Sequence, residues 1–258
     1  VYCTSDRPNL NTQIASDILN PFTEHLDQIG DVEKISLFLY TRGWNTLSAW
    51  TLVNLIRSFC DELEIIVPSN CHSAGTLISL GANTIVMTKQ ATLGPIDPSV
   101  NGPLNPSVPG SQNINARIPV SVEFVDAFLQ MAKQELGISS QETLSKILLE
   151  LTQHIHPLTL GQVYRSKRQI QMLAQKLLEH QELNAEQKDK IFKFLCSESG
   201  SHDYTVNRRE AAALGLNIEK PDMPLYQIIK AIYTNIETEM EMRKPCDPKT
   251  FMGQETAK

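Results

Sequence analysis

A serine placed where a strand runs out and a helix begins can do chemistry that a serine elsewhere cannot. Residues 70–76 read Asn-Cys-His-Ser-Ala-Gly-Thr. The strand-forming stretch Glu64 to Pro68 ends just before them, and the small and apolar residues from Ser73 to Ala82 suit a buried helix. Ser73 is thus expected at the carboxyl end of a strand, where open α/β sheets place their sites. It also falls at a helix N-terminus, whose unpaired N–H groups and dipole favour a developing negative charge. The competing reading makes Ser73 an ordinary N-cap, its hydroxyl taken up by a backbone amide. Upstream, a strand ends at Thr41-Arg-Gly-Trp44, a turn able to offer a backbone N–H to a substrate carbonyl. Downstream come Thr92-Leu-Gly-Pro-Ile-Asp-Pro-Ser99, then Ser199-Gly-Ser-His-Asp-Tyr204 and Arg209-Glu-Ala-Ala-Ala-Leu-Gly-Leu216.

These residues need a frame. Ile35 to Tyr40 reads as a strand, and Asn45-Thr46 opens a helix with apolar residues at Leu47, Trp50, Val53, Leu55, Ile56 and Phe59. Glu64 to Pro68 and Thr84 to Thr88 are two more strands. Short strands alternating with helices of this length imply β-α-β units and a parallel sheet. Leu93 to Pro119 carries six prolines and Gly94, Gly102 and Gly110. It cannot be a regular helix and is expected to be an ordered active-site loop or a flap bordering the substrate cleft. Val120 to Gly137, Gln141 to Ile155 and Tyr164 to His180 read as amphipathic helices. Arg208 to Leu214 is a short helix with Gly215 as its cap, and Leu216 begins a last strand.

The chain has 258 residues, a formal charge of −6 and 41% apolar residues. This composition excludes general disorder. The acidic balance argues against a nucleic-acid partner, since the one basic cluster, Arg165-Ser-Lys-Arg168, is too short to track phosphates. No apolar run spans a bilayer, and the polar start does not read as a signal peptide. The sequence does not open on Met, which leaves membrane association through a segment outside it open. Cys3, Cys60, Cys71, Cys196 and Cys246 are odd in number and form no paired motif. They are expected to be thiols in a reducing compartment, with the cytoplasm as the default, and no metal site is expected from them.

The order of motifs resembles the Clp-type and signal-peptide-peptidase superfamily of serine peptidases, built on the crotonase-like spiral. The nearest pattern is that of the serine dehydrogenase proteinase family. The residues that carry it are Ser73-Ala-Gly-Thr76, Leu93-Gly-Pro-Ile-Asp-Pro98, His156-Pro-Leu-Thr-Leu-Gly161, Ser201-His-Asp-Tyr204 and Glu210-Ala-Ala-Ala-Leu-Gly-Leu216. The resemblance implies an α/β spiral of β-α-β units with a helix-rich C-terminal part. Residues 1–220 would form the peptidase domain, containing the Pro-rich loop 93–119 and a helical insertion 120–195, and 221–258 a helical tail. It implies Ser73 as nucleophile acting without metal or organic cofactor. The oxyanion hole would be the amide of Ala74 and that of Trp44, which follows Gly43.

The base stays open between two alternatives. Asp97 stands where Clp-type peptidases carry a histidine, and a carboxylate there is a poor base for a serine. Asp203 stands eight residues before Ala211, the spacing of the Clp-type aspartate, with His202 beside it. Signal-peptide peptidases use a lysine from a later helix, and Lys167 is the candidate here. His72 and His156 read as structural. Trp44 departs from the family's second glycine, and its indole is expected to be buried in the cleft, where it would obstruct substrate. The resemblance therefore implies a serine endopeptidase acting on peptides or proteins, assembled as a homo-oligomer. The alternatives are an impaired peptide-binding scaffold of the same fold and, disfavoured, a crotonase-type acyl-CoA enzyme.

Overall fold

Nine residues from Val32 to Tyr40 form the longest strand, and the alternation along it sets the architecture. A computed structural model describes residues 1–96, 99–198 and 203–247. Five strands pair in parallel in the order β1-β4-β5-β7-β12: β1 (Tyr2–Cys3), β4 (Val32–Tyr40), β5 (Cys60–Val67), β7 (Thr84–Met87) and β12 (Ile218–Glu219). A hairpin of β2 (Asp6–Arg7) and β3 (Leu10–Asn11) follows β1.

Side chains alternate between the faces of a strand. Leu37, Leu39, Ile65, Val67, Ile85 and Met87 therefore share one face, and all are buried. Phe38 and Val86 share the other with Ile66, and there the C-terminal helix α9 (Met223–Glu239) lays Ile229, Tyr233 and Ile236 against them. A sheet covered on both faces is what an all-parallel arrangement requires. The remaining helices before the site are α1 (Leu19–Ile29), α2 (Thr46–Arg57) and α3 (Ala74–Leu80).

A second, smaller sheet gives the fold its spiral. It contains β6 (Asn70–Cys71), β8 (Thr92–Leu93) and β11 (Val206–Asn207). After β5 the chain adds β6 before turning into α3, and after β7 it adds β8. After β4, the Thr41 bridge to Cys71 takes the place of a short strand before α2. The turns that carry α2 and α3 thus run long strand, short strand or bridge, helix. The expected β-α-β reading holds for the large sheet and misses the short strands.

The chain divides into two compact units, Val1–Ile96 with Leu173–Lys258, and Asp97–Met172. In the second, β9 (Ser99–Val100) pairs antiparallel with β10 (Val120–Ser121), and Val100, Val120 and Val163 form a small core. The Pro-rich segment is ordered by Asn105, whose buried amide donates to the carbonyls of Val100 and Ile118 at 2.6 and 2.9 Å. Helices α4 (Val122–Gln134), α5 (Gln141–His154) and α6 (Pro157–Leu177) follow. Helix α6 starts seven residues before the expected Tyr164, because Pro157 pre-sets the helical φ at a position that needs no N–H. The C-terminal helices of the first unit are α7 (Ala185–Lys193), α8 (Arg208–Leu214) and α9. Among the described residues no helix is long and apolar enough to cross a membrane. None of the five cysteines is in a disulfide.

Candidate active site

Ser73 departs from ordinary backbone geometry. Its φ is +52° and its ψ −114°, a conformation that costs a non-glycine residue on the order of 1–3 kcal/mol. It precedes α3, yet its side chain makes no cap hydrogen bond, and among the described residues its hydroxyl has no partner. The N-cap reading therefore fails. A strained strand-to-helix turn that holds a hydroxyl away from its own backbone is how a nucleophilic serine is presented.

Two amides on the turns that meet here have no acceptor among the described residues. Ala74 opens α3, so its N–H has no intrahelical acceptor. On the other side, the Gly43 N–H donates to Thr41 Oγ1 at 2.9 Å. The Gly43 carbonyl accepts from Ile14, and the Asn45 N–H donates to Ile14. That accounts for the amides on either side of Trp44 and leaves the Trp44 N–H without an acceptor among the described residues. The donors expected from the resemblance, Ala74 and Trp44, are the ones left free; Gly43 contributes closeness rather than its own N–H.

That closeness is measurable. A Cβ on Gly43, whose φ is +93°, would stand 2.6 Å from the His72 carbonyl oxygen, 2.7 Å from the Ala74 nitrogen and 2.7 Å from Ser73 Cβ. Only glycine fits between the two turns. Thr41 ties them together: its N–H donates to Asn70 and its carbonyl accepts from His72. Its Oγ1 accepts from the Thr4 hydroxyl as well as from Gly43. Thr76 closes the far side. Its Oγ1 lies 3.0 Å from the Cys71 carbonyl and 2.8 Å from that of Gly94, and it accepts the Gly94 N–H. Neither threonine was singled out from sequence, because a buried hydroxyl hub has no spacing signature.

Trp44 is not where sequence reasoning put it. Its φ is +124°, as expected of a position that favours glycine, but its indole is 57% exposed rather than buried in the cleft. A side chain on a positive-φ residue leaves the backbone in a direction that spacing alone does not foretell. His72, read as structural, has its Nε2 2.9 Å from Thr92 Oγ1 and its ring packed where a Gly94 side chain would be. His156 falls between α5 and α6, where its Nδ1 accepts the Leu158 N–H.

The other candidates are placed unequally. His202 and Asp97 lie outside the described residues. Asp203 is exposed in a turn just before β11. Strand β11 pairs antiparallel with β8, Val206 opposite Leu93, and β8 pairs parallel with β6, Leu93 beside Cys71. Counting outward, Tyr204 and Ser73 leave this sheet at the same end. Tyr204 is anchored there by its hydroxyl, which donates to Glu210 at 2.6 Å. Lys167, on α6 in the second unit, donates from Nζ to the Asp126 carboxylate.

Burial shapes the remaining titratable groups near the site. It pushes the Cys71 thiol up to about 12, against a smaller opposing effect of Ser79. Burial raises the Tyr40 hydroxyl further still, aided by its hydrogen bond to Asp6. Both stay protonated at neutral pH and offer no base. Among the described residues no group of three or more His, Cys, Asp or Glu could hold a metal ion.

Comparison with known proteins finds likenesses for part of this chain. Residues 26–115 match the family described as ClpP-like SDH-type serine proteinase, which bears out the resemblance read from the motifs. The matched stretch holds Gly43, Trp44, Ser73 and Ala74; Lys167, His202 and Asp203 fall beyond it. An uncharacterized protein of Methanocaldococcus jannaschii is 25% identical over 185 residues, 72% of this chain and 53% of that protein. Another uncharacterized protein of that organism is 32% identical over 66 residues, 26% of this chain and 23% of the relative. The chain thus spans about half or less of the curated relatives it matches. Among solved structures, a membrane-bound stomatin-specific protease, 1510-N, in complex with a substrate peptide aligns with a TM-score of 0.44 and 16% identity, over 83% of this chain and 73% of that one. ClpP1 from Listeria monocytogenes aligns with a TM-score of 0.42 and 13% identity, over 83% and 90%.

Proposed function

We propose, for a chain whose residues 26–115 match the ClpP-like SDH-type serine proteinases, that Ser73 is the nucleophile of a peptide-bond hydrolase. The observation that carries this is the strained Ser73, its hydroxyl uncapped, on a turn packed against Gly43, with the amides of Ala74 and Trp44 unspent. A base removes the Ser73 proton, Oγ bonds to the scissile carbonyl carbon, and the carbonyl π electrons move to oxygen. The Ala74 and Trp44 N–H groups take up that charge. Collapse breaks the C–N bond, the base returns its proton to the departing amine, and water then hydrolyses the acyl-enzyme. The chemistry as written uses no metal or organic cofactor.

We assign the base to His202 with Asp203 as its orienting partner. The sheet register supports Asp203, whose neighbour Tyr204 leaves the sheet at the end where Ser73 does; for His202 the support is the resemblance. Lys167 is the second choice, because it is engaged with Asp126. The impaired-scaffold reading loses the buried indole it required. Assembly as a homo-oligomer is supported by α5, which buries no residue although Leu144, Ile147, Leu148 and Leu151 run along one side of it. Hydrolysis of a fluorescein-casein substrate by the chain and by Ser73→Ala tests the proposal. Activity is expected only in the former; equal release of fluorescein by the two proteins would remove Ser73 from the mechanism.

A further inference from the structure

Strain at a backbone position is ordinarily offset by what its side chain packs against, and Trp44 gives the fold little in return. Its φ of +124° is one that side-chain-bearing residues rarely adopt, yet more than half of its surface is exposed. A glycine would present the same N–H at no strain. Leu47, three residues on in the first turn of α2, is exposed as well. Two large apolar groups therefore stand in solvent next to Gly43, whose Cα lies against the Ser73–Ala74 turn. An outlier that the inside of the chain does not explain points to something bound from outside.

We infer that the Trp44 indole is a subsite for an apolar or aromatic side chain of the peptide, next to the scissile bond. The inference rests on the peptidase reading in that it lays the peptide across Ser73. A carbonyl oxygen held by the Trp44 N–H brings the flanking residues past the Trp44 side chain, because the donor and the indole belong to one residue. An indole offers a large, rigid apolar face that loses little conformational entropy on binding. A carboxylate against that face would be stripped of water and meet the negative side of the ring. The site thus selects by hydrophobicity beside the cleaved bond, and the strain at residue 44 is the cost of that selection.

The test separates binding from hydrolysis. On the Ser73→Ala background, a fluorescein-labelled peptide of alternating Leu and Ala is titrated by anisotropy beside its counterpart with Asp for Leu. The Leu peptide is expected to bind more tightly. Trp44→Gly should weaken it about tenfold, or about 1.4 kcal/mol, with the Asp peptide unmoved, and Trp44→Phe should restore most of the loss. The melting temperature of Trp44→Gly should stay level or rise, since strain is removed. Unchanged or tighter binding of the Leu peptide by Trp44→Gly overturns the inference. Equal weakening of both peptides does too, because the indole would then support the turn rather than read a side chain, and so does failure of the Leu peptide to bind. Labelling of the unsubstituted chain with a fluorophosphonate, run in parallel, tests the peptidase reading separately. Trp44-dependent binding without labelling would leave the subsite standing and remove the hydrolysis.

Discussion

Replacing Gly43 with Ala puts one methyl group where the site has no room for it. The new Cβ would meet the His72 carbonyl oxygen at 2.6 Å and the Ala74 nitrogen and Ser73 Cβ at 2.7 Å each. Two of these three are backbone atoms, so relief requires the turns carrying both oxyanion donors to move apart. Loss of one such donor costs about 10² to 10³ in rate. A side chain at φ +93° adds roughly 1–3 kcal/mol of strain. At about 2–4 °C per kcal/mol for a chain of this size, the melting temperature should fall by about 2 to 12 °C. The assay is the rate of fluorophosphonate labelling beside a thermal melt. Gly110→Ala is the control: its φ is +72° and nothing lies within 4 Å of the added Cβ. It should show the loss of stability without the loss of labelling. Labelling of Gly43→Ala at a rate near that of the unsubstituted chain would refute the placement of the hole between these turns.

Thr41→Val keeps the shape but leaves the buried Gly43 N–H without its acceptor, at a cost of about 1–3 kcal/mol. Its kcat should drop with KM little changed, and Thr41→Ser should recover it, as measured on a peptide substrate. His202→Ala should lower turnover by several orders of magnitude with the melting curve preserved, whereas Lys167→Ala should leave turnover nearly intact. The reverse pattern would move the base to the lysine. Cys71, fully buried and with its thiol pushed up to about 12, should resist iodoacetamide at pH 8 in the folded chain and react once urea unfolds it. Peptide mapping by mass spectrometry reads both states.

Much of the large sheet is legible in the sequence, because its strands announce themselves. Ile35 to Tyr40 falls within β4, and of Glu64 to Pro68 all but the terminating Pro68 falls within β5. The short strands β6, β8 and β11 are two residues each, too brief for any periodicity, yet they bring the site segments side by side. In helix α1, Leu19, Phe22, Leu26 and Ile29 recur at helical spacing, but no side chain caps its start. The Asn184…Gln187 capping box of α7 was there to be read. At the site, residue types and order pointed to Ser73, Ala74 and Trp44. What they could not give was direction. Whether the Ser73 hydroxyl caps α3 and whether the Trp44 indole turns inward depend on φ and ψ, which tertiary packing sets.

The central claim is that the Ser73 hydroxyl, and no other, is activated in this fold. It is tested most directly by treating the native chain with a fluorophosphonate, digesting it, and locating the phosphonyl group by mass spectrometry. The account predicts a single adduct on Ser73, absent when the chain is unfolded beforehand and absent in Ser73→Ala. An adduct on another residue, or none on the folded chain, would contradict it.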